Sequence, residues 1–291
     1  MITIGVLTQD DPLKAESIRI LENEARNQNA KIKVIHPSKI DYLISRNTNL
    51  IKDINILYPR LYAETNFEEF LLSIAGIQHY LNLKVPMINT LEGLIIGSDK
   101  FRQYQVISNA GVSIPKTSLI ASNDMINTTL KNFNFPIILK RQFGFGGSYV
   151  AIAESEKSAK SVIGSFLSDK HPVLVQEYLK LDRCVDYRVY IVGGKAEHAK
   201  LRTAPKGDFR ANVALGGTQE YFKPPQELCD LAEKVAKAVN LELFAADFLK
   251  LNNKYYLVEI NRSMSFDPYE GKHKIVAKKA IEFILDKLNN N

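Results

Sequence analysis

The chain has 291 residues, 45% of them hydrophobic and 24% charged, with a formal net charge of +6. That composition suits a globular protein with a large core and one to three domains, and no apolar run approaches the roughly 18 residues of a membrane helix. The basic excess is spread along the chain with no basic tail and no nucleic-acid motif, which excludes DNA and RNA as expected partners and leaves an anionic ligand, an acidic partner or a solvated basic surface.

The first third alternates. "ITIGVLT" predicts a buried strand, Pro12 to Gln28 a helix, "KIKVIH" and "INILYP" strands, Phe67 to Leu81 a helix, and "VPMIN" a short strand. Strand–helix alternation predicts a parallel sheet with helices on its faces, a Rossmann-like domain ending near Asn89. From Ser98 the pattern changes. "SDKFRQYQVISNAG" opens on a Ser/Asp cap and ends at Gly111, both helix boundary signals. "PKTSLIA" predicts a strand, Asn123 to Asn132 a helix, "FPIILKRQ" a strand, then a glycine loop and the strand "SYVAIA". Ser155 to Leu167 predicts a helix and "PVLVQEYL" a strand. "YRVYIVG" and "KAEHAKLRTA" follow as strands, then a glycine-bearing segment and a helix from Pro225 to Val239. The strands "LFAADFLKL" and "KYYLVEIN" and an amphipathic helix from Lys272 to Leu288 close the chain. The fold class is mixed α/β and α+β.

"KYYLVEIN" ends an apolar strand on a carboxylate and an amide. Residues two apart on a strand share a face, so Glu259 and Asn261 point the same way. The preceding strand carries Asp247 inside an apolar run, and "NNK" between them suits a hairpin. A three-residue loop over 252–254, or a bulge with the same effect, sets Asp247 opposite Glu259. Two carboxylates and an amide oxygen on one face suit Mg²⁺; separate salt bridges to nearby Lys or Arg are the alternative.

Lys140 nears the end of its strand, and Gly144, Gly146 and Gly147 lie in the hairpin that follows. The spacing matches neither a P-loop nor a dinucleotide-binding turn. A glycine-rich hairpin can bring backbone N–H groups onto phosphates, with Lys140 supplying charge; a mobile surface hairpin explains it equally. The backbone from Gln176 to Leu179 could meet an adenine edge, and Asp186 and Arg188 share a strand face. Arg210, alternating with Asn212 before Gly216, could clamp a phosphoryl oxygen, or be an exposed loop arginine. Arg60, at a strand end, could bind a substrate carboxylate. Cys184 and Cys229 lie in no CxxC or Cys/His cluster, so no zinc site is expected; Cys229 reads as core or half-buried and His198 as a sheet-surface residue. Few cysteines, and an N-terminus "MITIGVLTQD" without a basic region before a long apolar stretch, fit a cytoplasmic protein without a membrane partner.

Taken in order, "SDKFRQYQVISNAGVSIPKT", "FPIILKRQFGFGGSYV", "VLVQEYL", "DYRVYIVGG", "GDFRANVALGG" and "AADFLKLNNKYYLVEIN" resemble the ATP-grasp superfamily, and within it the RimK-type α-L-glutamate (amino-acid) ligases. The resemblance is close from Thr90 onward. It implies an ATP-grasp fold of two α+β subdomains clasping ATP after a Rossmann-like N-terminal domain, divided as 1–89, 90–178 and 179–291. It implies that Lys100 and Lys140 contact ATP phosphates, that the glycine hairpin of Gly144, Gly146 and Gly147 covers them, that Glu177 and Tyr178 form the adenine hinge, and that Asp186 contacts ATP. Asp247, Glu259 and Asn261 match the Mg²⁺ ligands, two ions being expected with Mn²⁺ as a substitute. Arg210 and Asn212 match positions near the transferred phosphate, and Arg188 and Arg202 the acyl side.

The implied chemistry is carboxylate–amine ligation. A substrate carboxylate attacks the γ-phosphate of ATP, and an amine then attacks the acyl phosphate and releases phosphate. Amino-acid and carboxylate substrates are the expected partners, with L-glutamate the expected amino acid. A LysX-like ligase acting on a small acidic carrier protein, a non-catalytic ATP-binding module and a kinase on the same fold are the alternatives. The resemblance also implies a homo-oligomer, a dimer or tetramer. The sequence departs from relatives at "RSMSFDPYEGKHK" after Asn261, and at Ala211 and Ala214, segments expected to shape the acceptor site.

Overall fold

A computed structural model describes residues 1–9, 15–42, 53–61, 67–144, 149–205, 211, 216–266 and 275–290. β1 (Ile2–Thr8), β2 (Ala30–Ile35) and β3 (Ile56–Arg60) form a parallel sheet in the order β2-β1-β3, accompanied by α1 (Ala15–Asn27) and α2 (Phe67–Asn82). The strand expected at "VPMIN" is reduced to one bridge, Leu57 to Met87. Pro86 has no N–H to give a ladder, and Asn89, at φ 63°, turns the chain away.

Asn89 is 1% exposed and works as a latch. Its Oδ1 accepts from the N–H groups of Glu242 and Leu243, both at 2.9 Å, and its Nδ2 donates to the Leu243 carbonyl at 2.8 Å. This ties the end of the first third to the start of a strand 154 residues later.

A short helix not expected from the sequence follows, α3 (Leu91–Ile96), capped by Thr90, whose hydroxyl accepts from Gly93 N at 3.0 Å. Gly93 lies against the C-terminal end of a later helix. A Cβ there would sit 2.3 Å from Asn240 O and 2.8 Å from Val239 O. These are backbone atoms and cannot swing aside. Gly93→Ala is expected to lower stability by about 1–3 kcal/mol, read as a lower unfolding midpoint in denaturant with an unchanged slope.

α4 (Lys100–Asn109) starts at Asp99, whose carboxylate caps the N–H groups of Phe101 and Arg102, and gives way at Gly111, φ 74°. β4 (Thr117–Ile120), α5 (Met125–Leu130), β5 (Ile137–Arg141), β6 (Val150–Ala153), α6 (Glu156–Ser168) and β7 (Val173–Glu177) make an antiparallel sheet in the order β4-β7-β5-β6. Its core holds Ile120, Ile137, Leu139, Ile163, Val173 and Val175.

β8 (Val185–Val192), β9 (Lys195–Thr203), β10 (Thr218–Phe222), β11 (Leu243–Leu251) and β12 (Lys254–Asn261) form a five-stranded antiparallel sheet ordered β10-β9-β8-β11-β12, with α7 (Gln226–Val239) before β11 and α8 (Ile275–Asn289) after β12. β10 falls in what the sequence reading leaves as the glycine-bearing segment before Pro225. Val189, Ile191, Phe244, Ala246 and Phe248 share a core with Leu228, Ala232 and Val235 of α7. On the other face Tyr190, Val192, Leu243 and Ala245 pack with α8 and the first sheet. No described helix is long and apolar enough to cross a membrane.

The β11–β12 hairpin closes with two residues, not three. Leu251 pairs with Lys254, and Asn252 and Asn253 take φ 50° and 60°, as a tight hairpin turn of this type requires. That loop alone would set Asp247 and Glu259 on opposite faces. A register shift between Asp247 and Phe248 leaves Val258 as an extra residue and restores the parity, so Asp247 pairs with Glu259.

Candidate functional site

The strand registers place the functional side chains on one face of the five-stranded sheet. Asp247 pairs with Glu259 on one side and Arg188 on the other; Arg188 pairs with Lys200, and Asp186 with Arg202. The alternation of residue types along β8, β9, β11 and β12 therefore puts charge on this face and apolar side chains on the opposite face against α7.

The centre of the face is an ionic network. Arg188 donates through Nε and Nη2 to the two oxygens of Asp247, each at 2.7 Å. Arg202 donates through Nε and Nη2 to the two oxygens of Asp186, each at 2.6 Å, and through Nη2 to Asp247 Oδ2 at 2.9 Å. Asn261 Nδ2 donates to the same Oδ2 at 3.1 Å. Planar guanidinium forks suit such bidentate pairing. Burial alone would push the Asp247 carboxyl up; the Arg188 and Arg202 guanidiniums outweigh it and hold the group at about 2. Burial pushes Asp186 up, and the Asp247 charge adds to that against the pull of Arg202. For Arg188, burial opposes the charge and Asp247 more than offsets it, so its pKa is raised.

A hard cation fits this corner. Asp247 Oδ2 already accepts three hydrogen bonds, while Oδ1 accepts one and keeps a lone pair. Asn261 gives its N–H to Asp247, which leaves its amide oxygen as a ligand. Glu259 is partly exposed and its Oε1 lies 3.6 Å from Lys100 Nζ. The donors are oxygens only, the set that Mg²⁺ takes. Among the described residues no group of three or more His, Cys, Asp and Glu converges, so the set rests on two carboxylates and an amide. Both carboxylates carry salt bridges, Asp247 to Arg188 and Arg202 and Glu259 to Lys100, while oxygens of Glu259 and Asn261 stay open to a cation.

Two lysines come from outside the five-stranded sheet. Lys100, in the first turn of α4, donates to the Gly144 carbonyl at the start of the glycine hairpin. Burial lowers its pKa; Glu259 opposes this, and Lys140 and Arg262 add to it. Lys140, on β5, donates to Tyr104 Oη at 3.0 Å. Glu177, at the end of β7, is exposed, its N–H donating to Lys116 O at 2.8 Å, and Tyr178 beside it is partly buried. Gly146, Gly147, Arg210 and Asn212 lie outside the described residues.

Other expectations change. Asp186 is 7% exposed with both oxygens on Arg202, so it organises the network. Arg60 is fully buried; its Nη2 donates to Ser17 Oγ and to Met264 O, both at 3.0 Å, and its guanidinium lies 5.2 Å from the Phe266 ring centre. It braces α1 against the segment after β12. Of the segment expected to shape the acceptor site, residues 267–274 lie outside the described residues, as does Ala214; Arg262 to Met264 and Phe266 are buried, Arg262 Nη1 donating to Gly97 O at 2.9 Å and Ser263 Oγ to Leu61 O at 2.8 Å. His198 is half-buried against Tyr221, ring centres 4.6 Å apart, and burial lowers its pKa. Cys229 is half-buried, as expected.

Two residues escaped the sequence reading. Lys200 is 2% exposed, its ammonium 4.6 Å from the Tyr221 ring and 5.5 Å from Tyr190. Its period-2 spacing from Arg202 was the available signal. Tyr104 lies one helical turn after Lys100, on the same face. Among the described residues this face carries Arg188, Lys200 and Arg202 beside Asp186, Asp247 and Glu259, and Lys100 reaches Glu259 from α4.

Comparison with known proteins accords with this arrangement. Residues 97–284 match the family model described as the RimK-like ATP-grasp domain. A protein of Vibrio atlanticus described as a probable alpha-L-glutamate ligase is 29% identical over 296 residues, covering 99% of this chain and 95% of its own. The crystal structure of a RimK domain ATP-grasp protein from Sphaerobacter thermophilus superposes with a TM-score of 0.75 at 18% identity, over 96% of this chain and 99% of that one. The ATP-grasp ligase PsnB, solved with a phosphomimetic precursor variant, Mg and ADP, gives a TM-score of 0.74 at 16% identity, over 98% of each chain. The chain belongs to the RimK-like ATP-grasp family.

Proposed function

We propose that this protein is an ATP-dependent carboxylate–amine ligase that adds L-glutamate, or another amino acid, to the carboxylate of a coenzyme, a small molecule or a protein C-terminus. One observation carries the reading: Glu259 and Asn261 stand beside the Asp247–arginine network, and Lys100, from the other subdomain, reaches Glu259. The full-length similarity to probable alpha-L-glutamate ligases supports the choice of amino acid. The division into a Rossmann-like unit over 1–89 and ATP-grasp subdomains over 90–178 and 179–291 belongs to the same proposal.

Lys100 and Lys140 bind the ATP phosphates, with the glycine hairpin over them and the Glu177–Tyr178 hinge at the adenine. Glu259 and Asn261, with the open lone pair of Asp247, would hold Mg²⁺, which would neutralise phosphate charge. The substrate carboxylate attacks the γ-phosphate and displaces ADP. The amine then attacks the acyl carbon and phosphate leaves. Arg188 and Arg202, locked by two carboxylates, face this charge without having to reorganise. Arg210 and Asn212 are proposed beside the transferred phosphoryl group. Closure of the hairpin over the site would keep water from the acyl phosphate.

The test is product mass. Protein, ATP, Mg²⁺ and isotope-labelled L-glutamate are incubated with small carboxylates, cell extract or a small acidic carrier protein. A product heavier by one labelled glutamate residue supports the reading. Label found only on the carrier protein would shift it to the LysX-like alternative.

A further inference from the structure

The mechanism above leaves the buried hydroxyl of Tyr104 unused. Tyr104 of α4 is 2% exposed and its hydroxyl makes two bonds. It donates its single proton to the carbonyl of Val258, and it accepts from Lys140 Nζ at 3.0 Å. A phenol has one proton to give, so the two partners set its orientation without ambiguity. The Lys140 ammonium polarises the O–H and strengthens the bond to Val258.

Each partner matters by its place. Lys140 belongs to β5 of the four-stranded sheet. Val258 is the extra residue of the β12 bulge, and Glu259 comes directly after it. The bulge is what turns Glu259 to the face of Asp247. The outer edge of β12 is held here by two contacts from outside the sheet, the Tyr104 bond and Leu257 N to Ser113 O at 2.9 Å. A displacement of Lys140 is therefore transmitted through one oxygen to the residue that aims Glu259.

We propose that Tyr104 is a positioning residue that couples the nucleotide-phosphate lysine of one subdomain to the metal carboxylate of the other, so that ATP and the divalent cation bind cooperatively through its hydroxyl. The inference rests on the assignment of Lys140 to phosphate and of Glu259 to metal proposed above.

The experiment is calorimetric titration of ATP in Mg²⁺ on wild type, Tyr104→Phe, Lys140→Met and Glu259→Gln, and on the double variants that pair Tyr104→Phe with each of the other two. Binding is read directly, without turnover. Tyr104→Phe keeps the ring and its packing, and is expected to weaken ATP about tenfold, the loss of a hydrogen bond to a charged group. In each double variant it should add less than about twofold, because the partner it acts through is already gone. A hydroxyl that only supports the fold would lower the melting temperature and leave ATP affinity unchanged, or multiply its effect in full onto both partners; either result would overturn the proposal. If Lys140→Met binds ATP as wild type does, the phosphate assignment fails as well. If Lys140→Met weakens ATP and Tyr104→Phe does not, only the coupling fails.

Discussion

Asp247→Ala is expected to destabilise the protein by about 3–5 kcal/mol as well as to abolish turnover. The carboxylate is 2% exposed and takes four hydrogen bonds, three of them from Arg188 and Arg202. Its removal leaves Arg188 buried without its bidentate partner. Asp186→Asn should cost less, because Arg202 retains Asp247. Acid unfolding provides an independent check. The Asp247 pKa falls from 3.8 to about 2 on folding, so its contribution is complete above 3.8 and disappears as pH drops through 2. A shift of that size corresponds to about 2 kcal/mol. Asp186 is raised, so it acts in the opposite sense: its burial favours the protonated form and costs stability as pH rises above its unfolded value. Wild type should therefore lose Asp247-dependent stability between about pH 4 and 2, and Asp247→Asn should flatten that limb. Denaturant midpoints measured across this range would show it.

Glu259→Gln should do the reverse. Glu259 is partly exposed and its ionic contact is one of 3.6 Å with Lys100. An isosteric amide there should change stability by less than about 1 kcal/mol, the scale of a weak, partly exposed pair. If Glu259 holds the metal as proposed, the change removes a negative ligand, and ligation should fall by about a thousandfold or more, the several kcal/mol a metal supplies to phosphoryl transfer. Thermal melts and phosphate release on the same preparation separate the two carboxylates: Asp247 loses fold and function together, Glu259 function alone. Equal destabilisation by both would mean that Glu259 serves the ionic network and not a metal.

The sequence was most informative where side-chain period and turn chemistry agree. β11 and β12 have the predicted limits, and the parity of Asp247, Glu259 and Asn261 holds. The cause of that parity was not legible, since a two-residue Asn-Asn turn and a bulge at Val258 give the same facing as a longer loop. Long helices with caps, such as α4 and α6, were legible for the same reason; α3, six residues with a glycine inside, was not. Long-range roles were least visible. Arg60 looked like a site residue at a strand end, and only the packing of Met264 and Phe266 reveals it as a brace. Tyr104 went unmarked, because its partner Val258 is 154 residues away.

In the proposed mechanism one face holds ATP phosphate, metal and acyl group together for ligation. Phosphate release from ATP and Mg²⁺, measured against a panel of amino acids and carboxylates in wild type and Glu259→Gln, tests it most directly. Release should require both an amine and a carboxylate and vanish in the variant. Tight ATP binding without release under any condition, or ADP with a stable phosphorylated product and no free phosphate, would contradict it.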